Sequence, residues 1–194
     1  MSSFVVSRHS NSRSVNGKII SIMEMEQVLD EYNLVEFECG DDELNDFIIN
    51  DALDYHRNLL SESYLLKDEG RVIAYVTILN DSLDIDSFDD RTSFNRFRKK
   101  HFVNSKRLKS YPALKIGRLA VCHNLARKGY GSVLLDFVKL LTLLRRFAGC
   151  RFMTVDAYNE AVPFYEKNGF VVIRSRVPDS ETTLMCYDLV SVTP

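Results

Sequence analysis

Between Leu119 and Ser132 the chain passes from an apolar, strand-like run through a polar loop into a long apolar helix that opens on Gly129-Tyr130-Gly131-Ser132. Few folds need that combination. Leu114, Ile116, Leu119 and Val121 mark Ala113–Val121 as a strand. From Val133 to Leu144 apolar residues occupy most positions, so the helix reads as largely buried. Glycines at the junction let backbone approach a ligand without Cβ interference. The unpaired N–H groups of the first helical turn, with the helix dipole behind them, favour an anion. Arg127 and Lys128 add positive charge beside it. Two nucleotide motifs are excluded: a dinucleotide fingerprint needs glycine where Leu134 stands, and no G-K-[ST] closes a Walker loop. A plain junction whose glycines only relieve packing is the alternative.

Around this core the pattern alternates. Acids at Asp41, Asp42 and Glu43 open a helix whose apolar face is Leu44, Phe47, Ile48, Ala52, Tyr55 and Leu59. Ser63–Lys67 and Arg71–Leu79 read as a hairpin turning at Asp68-Glu69-Gly70. The stretch 81–110 starts acidic, turns basic and interleaves Phe88, Phe94, Phe97 and Phe102. It reads as an insertion carrying a helix over about Ser87–Phe102. Phe152–Val155 is a strand, Asn159–Lys167 a helix ending at Asn168-Gly169, and Phe170–Arg174 and Thr183–Leu189 are closing strands. This is an α/β chain: a mixed central sheet with helices on both faces.

A length of 194 residues suits one domain, and a formal net charge of −2 points to no polyanionic partner by itself. Cys39, Cys122, Cys150 and Cys186 are scattered, which argues against a zinc site or a disulfide framework and for reduced thiols in the cytoplasm. No run is long and apolar enough for a transmembrane helix. Residues 1–18 lack a signal-peptide core and read as a disordered tail, with 19–194 as a single domain. Met23 and Met25 are alternative starts.

The loop resembles the pyrophosphate loop of the GNAT acetyltransferases, Q/R-x-x-G-x-G/A. Gly129 and Gly131 match the small positions, while Ala126 departs at the Q/R position. Asn159-Glu160-Ala161-Val162-Pro163-Phe164-Tyr165-Glu166-Lys167-Asn168-Gly169-Phe170 resembles the family's terminal N-x-x-A-x-x-F-Y-E-K-x-G-F pattern, at the expected distance and with a strand between. The resemblance covers about Phe37 to Leu189. It implies a GNAT-like mixed sheet and an N-acetyltransferase that moves an acetyl group directly from acetyl-CoA, its co-substrate, to a primary amine in a ternary complex. The family opens a V between two splayed parallel strands, here Ala113–Val121 and Phe152–Ala157. By resemblance, the backbone of Leu119, Ala120 and Val121 pairs with the pantetheine arm. Arg127, Lys128, Gly129, Tyr130, Gly131 and Ser132 surround the pyrophosphate, and Asn159 contacts pantetheine.

Tyr165 is the expected catalytic acid. A phenol near pKa 10 keeps its proton until a thiolate near 8.5 appears. A core aromatic is the other reading of the same residue. Asp156, Glu160 and Glu36 are base candidates with nothing to separate them. Phe37-Glu38-Cys39-Gly40 to Phe47, with Ala52, resembles the GNAT subgroup containing aminoacyl-tRNA-acetylating toxins, so tRNA is a candidate partner through the basic Arg91–Lys109. The acidic residues just before could neutralise that segment. A degenerate GNAT fold that binds acyl-CoA or a protein without catalysis is a further alternative. The aromatics of 81–110 are a candidate homodimer interface.

Overall fold

The computed structural model describes residues 5–6, 11–15, 18–24, 34–102, 108–144, 148–174 and 180–192. They fall into two compact units, one of residues 1–79 with 117–138, the other of 80–116 with 139–194. The range 19–194 therefore spans both, and the 81–110 segment belongs to the second. Within the stretch read as a tail, strands β1 (Val5–Val6) and β2 (Asn11–Val15) are formed; residues 1–4, 7–10 and 16–17 lie outside the described residues.

In the first unit β1, β2, β3 (Lys18–Glu24), β4 (Glu62–Asp68) and β5 (Arg71–Asp84) follow one another in sheet order, each antiparallel to the last. The β4–β5 hairpin closes at Asp68↔Arg71 through Glu69 (φ 49°) and Gly70 (φ 83°). Two left-handed residues in a two-residue loop suit the right-handed twist of the strands. Between β3 and β4, Asp41 caps α1 (Asp42–Asp46) by accepting Leu44 N–H at 3.1 Å. The helix does not continue as a plain α-helix. A π-helical turn, Phe47–Asp51, separates it from α2 (Ala52–Arg57). The wide turn puts the adjacent Phe47 and Ile48 both inward, against Phe37, Ala52, Leu65, Tyr75 and Ala120. Tyr75 is too apolar-bound to leave its hydroxyl idle: it donates to Leu44 O at 2.8 Å.

The second unit is built on aromatic packing. Asp84 and Asp90 act as caps, the first on a 3₁₀ turn (Ile85–Ser87), the second on α3 (Arg91–His101) by accepting Ser93 N–H at 2.6 Å. Helix α3 is shorter than the Ser87–Phe102 expected. Its Phe94 and Phe97 join Phe88, Phe102, Tyr111 and Phe152 in one buried cluster. Those aromatics form the core of this unit and do not present the interface expected of them. Strand β6 (Ser110–Val121) leads to α4 (Tyr130–Leu144), then β7 (Phe152–Tyr158), α5 (Val162–Lys167), β8 (Val171–Val172) and β9 (Thr182–Asp188). The order here is β6-β7-β9-β8; β6–β7 is parallel and the rest antiparallel, so the sheet is mixed. The chain is α/β.

Candidate functional site

The parallel ladder between β6 and β7 has three pairs, the last Lys115↔Thr154, although β7 runs on to Tyr158 along β9. From Val155 onward β7 has ladder partners on the β9 side only, among the described pairings.

In the first unit, the end of β6 sets Leu119 and Val121 half-exposed and Ala120 buried against Tyr75 and Phe47. The strand is closed off by Cys122 N–H to Ile73 O at 2.8 Å, and His123 N–H then bonds Glu38 O at 2.9 Å. A 3₁₀ turn, His123–Leu125, follows. Arg127 (φ 61°) and Gly129 (φ 92°) take left-handed backbone on either side of Lys128. Such alternation turns successive N–H groups to one side, as anion-binding concavities do. Lys128 Nζ donates to Asn124 O at 3.0 Å and braces the loop. The first bond at the start of α4 is Val133 N–H to Gly129 O at 3.1 Å. The N–H groups of Tyr130, Gly131 and Ser132 precede it and have no intrahelical partner. Tyr130 and Gly131 are buried, while Arg127, Lys128 and Gly129 are exposed. Backbone donors and the helix dipole thus meet at this turn, with Arg127 and Lys128 exposed beside it. Ala126 takes nothing from the backbone donors.

Asn159 and Tyr165 stand in the second unit. Asn159 spends its side chain on the protein: Nδ2 donates to Ser180 O and Oδ1 accepts from Thr183 Oγ1, both at 2.7 Å. Its amide N–H bonds Glu181 O at 3.0 Å. The side chain therefore pins the end of β7 to the start of β9. Tyr165 on α5 is 6% exposed, with edge contacts to Phe164 and Phe170 at 5.0 and 5.4 Å. Burial pushes its phenol well above the ordinary value. Among the described residues no hydrogen bond reaches its hydroxyl. The phenol is thus held protonated, with its hydroxyl unspent among the described residues.

Of the base candidates, Asp156 is paired to Lys115 Nζ at 2.5 Å, and Glu36 and Glu160 are exposed. Glu38 is more ordered. Its Oε1 accepts from Asn45 Nδ2 at 2.9 Å and Gly40 N at 2.6 Å, and these bonds hold its carboxyl below the usual range. The structure also brings forward Arg118, whose guanidinium lies over the Phe47 ring at 3.7 Å. A lone cation in a strand gives no sequence signal, since alternation alone reads it as a solvated position.

With fold and loop described, the class is defined: residues 60–172 match the family model for the acetyltransferase (GNAT) domain, more than half of the chain. The chain belongs to the GNAT acetyltransferase family and is an N-acetyltransferase that uses acetyl-CoA. Similar solved structures include AtaT complexed with acetyl-methionyl-tRNAfMet (TM-score 0.71, 24% identity, covering 89% of this chain and 96% of that one). A variant of KacT has TM-score 0.70 at 21% identity, covering 89% and 96%. AtaTR bound with acetyl-CoA has TM-score 0.65 at 23% identity, covering 89% and 94%. At these identities the likeness is one of fold. No curated protein matches the chain. No helix among the described residues is long and apolar enough to cross a membrane.

Proposed function

We propose that the chain acetylates the α-amino group of an aminoacyl-tRNA. The observation that carries this is the exposed face of α3. Arg91, Arg96, Lys99 and Lys100 are all exposed, and none is in a salt bridge among the described residues. Three of the acids that precede them in sequence have hydrogen-bonding roles of their own. Asp84 and Asp90 cap helical turns, and Asp81 accepts a hydrogen bond from the Thr154 hydroxyl. The basic side chains of the helix thus face solvent outside any salt bridge among the described residues, which suits a phosphate backbone. The fold shared with AtaT, solved with an acetylated aminoacyl-tRNA, supports the same acceptor.

Acetyl-CoA supplies the activated acyl group. In this reading the backbone of Leu119, Ala120 and Val121 takes the pantetheine arm as an added strand. The Val121 N–H lies toward the acyl oxygen, where charge develops. The turn Arg127–Ser132 holds the pyrophosphate, and Tyr165 gives its proton to the departing sulfur. The amine must be neutral to attack. An α-amino group near pKa 8 is partly so at neutral pH, and solvent can take its proton.

Acetyl transfer from labelled acetyl-CoA to a mixture of aminoacyl-tRNAs, against free amino acids, polyamines and peptides, tests the acceptor. Label in the aminoacyl-tRNA that falls as salt rises supports the proposal. Label only in small amines or peptides would sink it.

A further inference from the structure

Arg118 has no task in the reading above, yet its surroundings are unusual. Its Nε is buried with no hydrogen-bond partner among the described residues. The nearest carboxylate oxygen, Glu43 Oε1, is 3.6 Å from Nη2, beyond a formed N–H···O bond, and Glu43 is 70% exposed. A guanidinium carries five donors, and none is taken up by a hydrogen bond among the described residues. An exposed carboxylate at that separation does little to hold it. What fixes the group is the Phe47 face beneath it.

Phe47 is the first residue of the π-helical turn Phe47–Asp51. Such turns are rare and concentrate at functional sites. Here the turn aims the ring at β6, and the ring keeps the fork flat and its edge free. Arg118 directly precedes Leu119–Val121, the backbone assigned above to the pantetheine arm, so the fork stands one residue from the acetyl donor's track. A planar guanidinium with spare donors matches phosphate and carbonyl oxygens in a way a lysine does not.

We propose that Arg118 is an acceptor-binding residue, its guanidinium held flat on Phe47 to receive a phosphate or ester-carbonyl oxygen at the aminoacyl end of the acceptor. This rests on the aminoacyl-tRNA reading for the identity of the acceptor. Glu43 is then the group that the incoming oxygen displaces.

The test compares wild type with Arg118→Gln and Arg118→Lys, using charged tRNA and an aminoacyl-adenosine that lacks phosphate. At least a tenfold rise in KM for charged tRNA is expected in both variants, with the KM for acetyl-CoA and the thermal midpoint unchanged. If the aminoacyl-adenosine shows the same rise, the oxygen is the ester carbonyl; if it shows none, the oxygen is a phosphate. Unchanged acceptor KM in both variants overturns the proposal, as does a loss explained by a lower thermal midpoint in both. Should wild type acetylate no aminoacyl ester at all, the acceptor reading fails by itself. Calorimetric binding of the dinucleotide pCpA to the full chain then decides for Arg118: binding lost in the variants upholds the subsite, and equal or absent binding overturns it.

Discussion

Arg151 grips Asp188 with two parallel hydrogen bonds, Nε to Oδ1 at 2.7 Å and Nη2 to Oδ2 at 2.8 Å, and His101 Nδ1 meets the same Oδ2 at 2.7 Å. One carboxylate thus joins the last residue of α3, the residue before β7 and the end of β9. Burial raises the Asp188 carboxyl, but the bonds from Arg151 and His101 outweigh it and hold the group below its ordinary 3.8. A depressed acid contributes stability that is fully present above the unfolded value and is lost as pH falls through the folded one. Asp188→Asn should therefore cost about 1–3 kcal/mol at pH 7. The difference from wild type should shrink below pH 3.8. Urea unfolding at both pH values measures it.

Tyr165→Phe separates the two readings of that residue. Its hydroxyl has no partner among the described residues, so removal breaks no hydrogen bond and should leave the stability within about 0.5 kcal/mol of wild type. As a proton donor, its loss should lower kcat by about 10²-fold or more without changing acetyl-CoA binding. Because burial raises the phenol, wild-type kcat should show no alkaline fall from this group below about pH 10. An unchanged kcat would return Tyr165 to the core.

Asn159→Ala asks whether the terminal motif's asparagine is a ligand or a brace. The mutation orphans Ser180 O and Thr183 Oγ1, and Thr183 is 2% exposed. A loss of about 1–3 kcal/mol is expected by chemical unfolding. The KM for acetyl-CoA should follow stability and not exceed it, because the bonds to Ser180 and Thr183 already fix the side chain on the protein.

Much of this was legible locally. The Gly129-x-Gly131 loop, the Asn159–Phe170 segment and the Glu69-Gly70 turn are fixed by short-range backbone chemistry, which sequence spacing carries directly. What escaped depends on distant partners. Leu44, Phe47, Ile48 and Ala52 fit an α-helical face, and nothing in that spacing announces a π turn. Strand β5 continues through Asp81 to Asp84, although aspartate disfavours strands, and the Thr154 hydroxyl supplies Asp81 with a partner far away in sequence. The phenylalanines of 81–110 gave a helix but not its destination, since Phe152 lies some fifty residues away. Two of the acids before α3, Asp84 and Asp90, are caps, a local role that charge counting conceals.

Gly129→Ala isolates backbone geometry. A Cβ there meets nothing within 4 Å, so the only penalty is its φ of 92°. The strain should cost about 1–2 kcal/mol in the free protein. Where the loop shifts to relieve it, acetyl-CoA should stabilise the variant less than the roughly 2.7 kcal/mol expected for wild type at a hundredfold its Kd. Thermal unfolding with and without acetyl-CoA reads both quantities.

Helix α3 provides the sharpest separation between acceptor classes. Arg96, Lys99 and Lys100 are exposed, so replacing each with glutamine should leave stability within about 0.5 kcal/mol of wild type. If they meet phosphates, each replacement should reduce the slope of log affinity against log salt by about 0.7 to 1 for tRNA binding. The triple variant should acetylate aminoacyl-tRNA weakly while keeping its activity on an aminoacyl-adenosine, which offers no phosphate to the helix. Equal losses on both acceptors would mean that α3 acts on the catalytic unit and not on the nucleic acid. A salt slope unchanged by all three replacements would remove α3 from the tRNA interface and leave the acceptor to be sought among small amines.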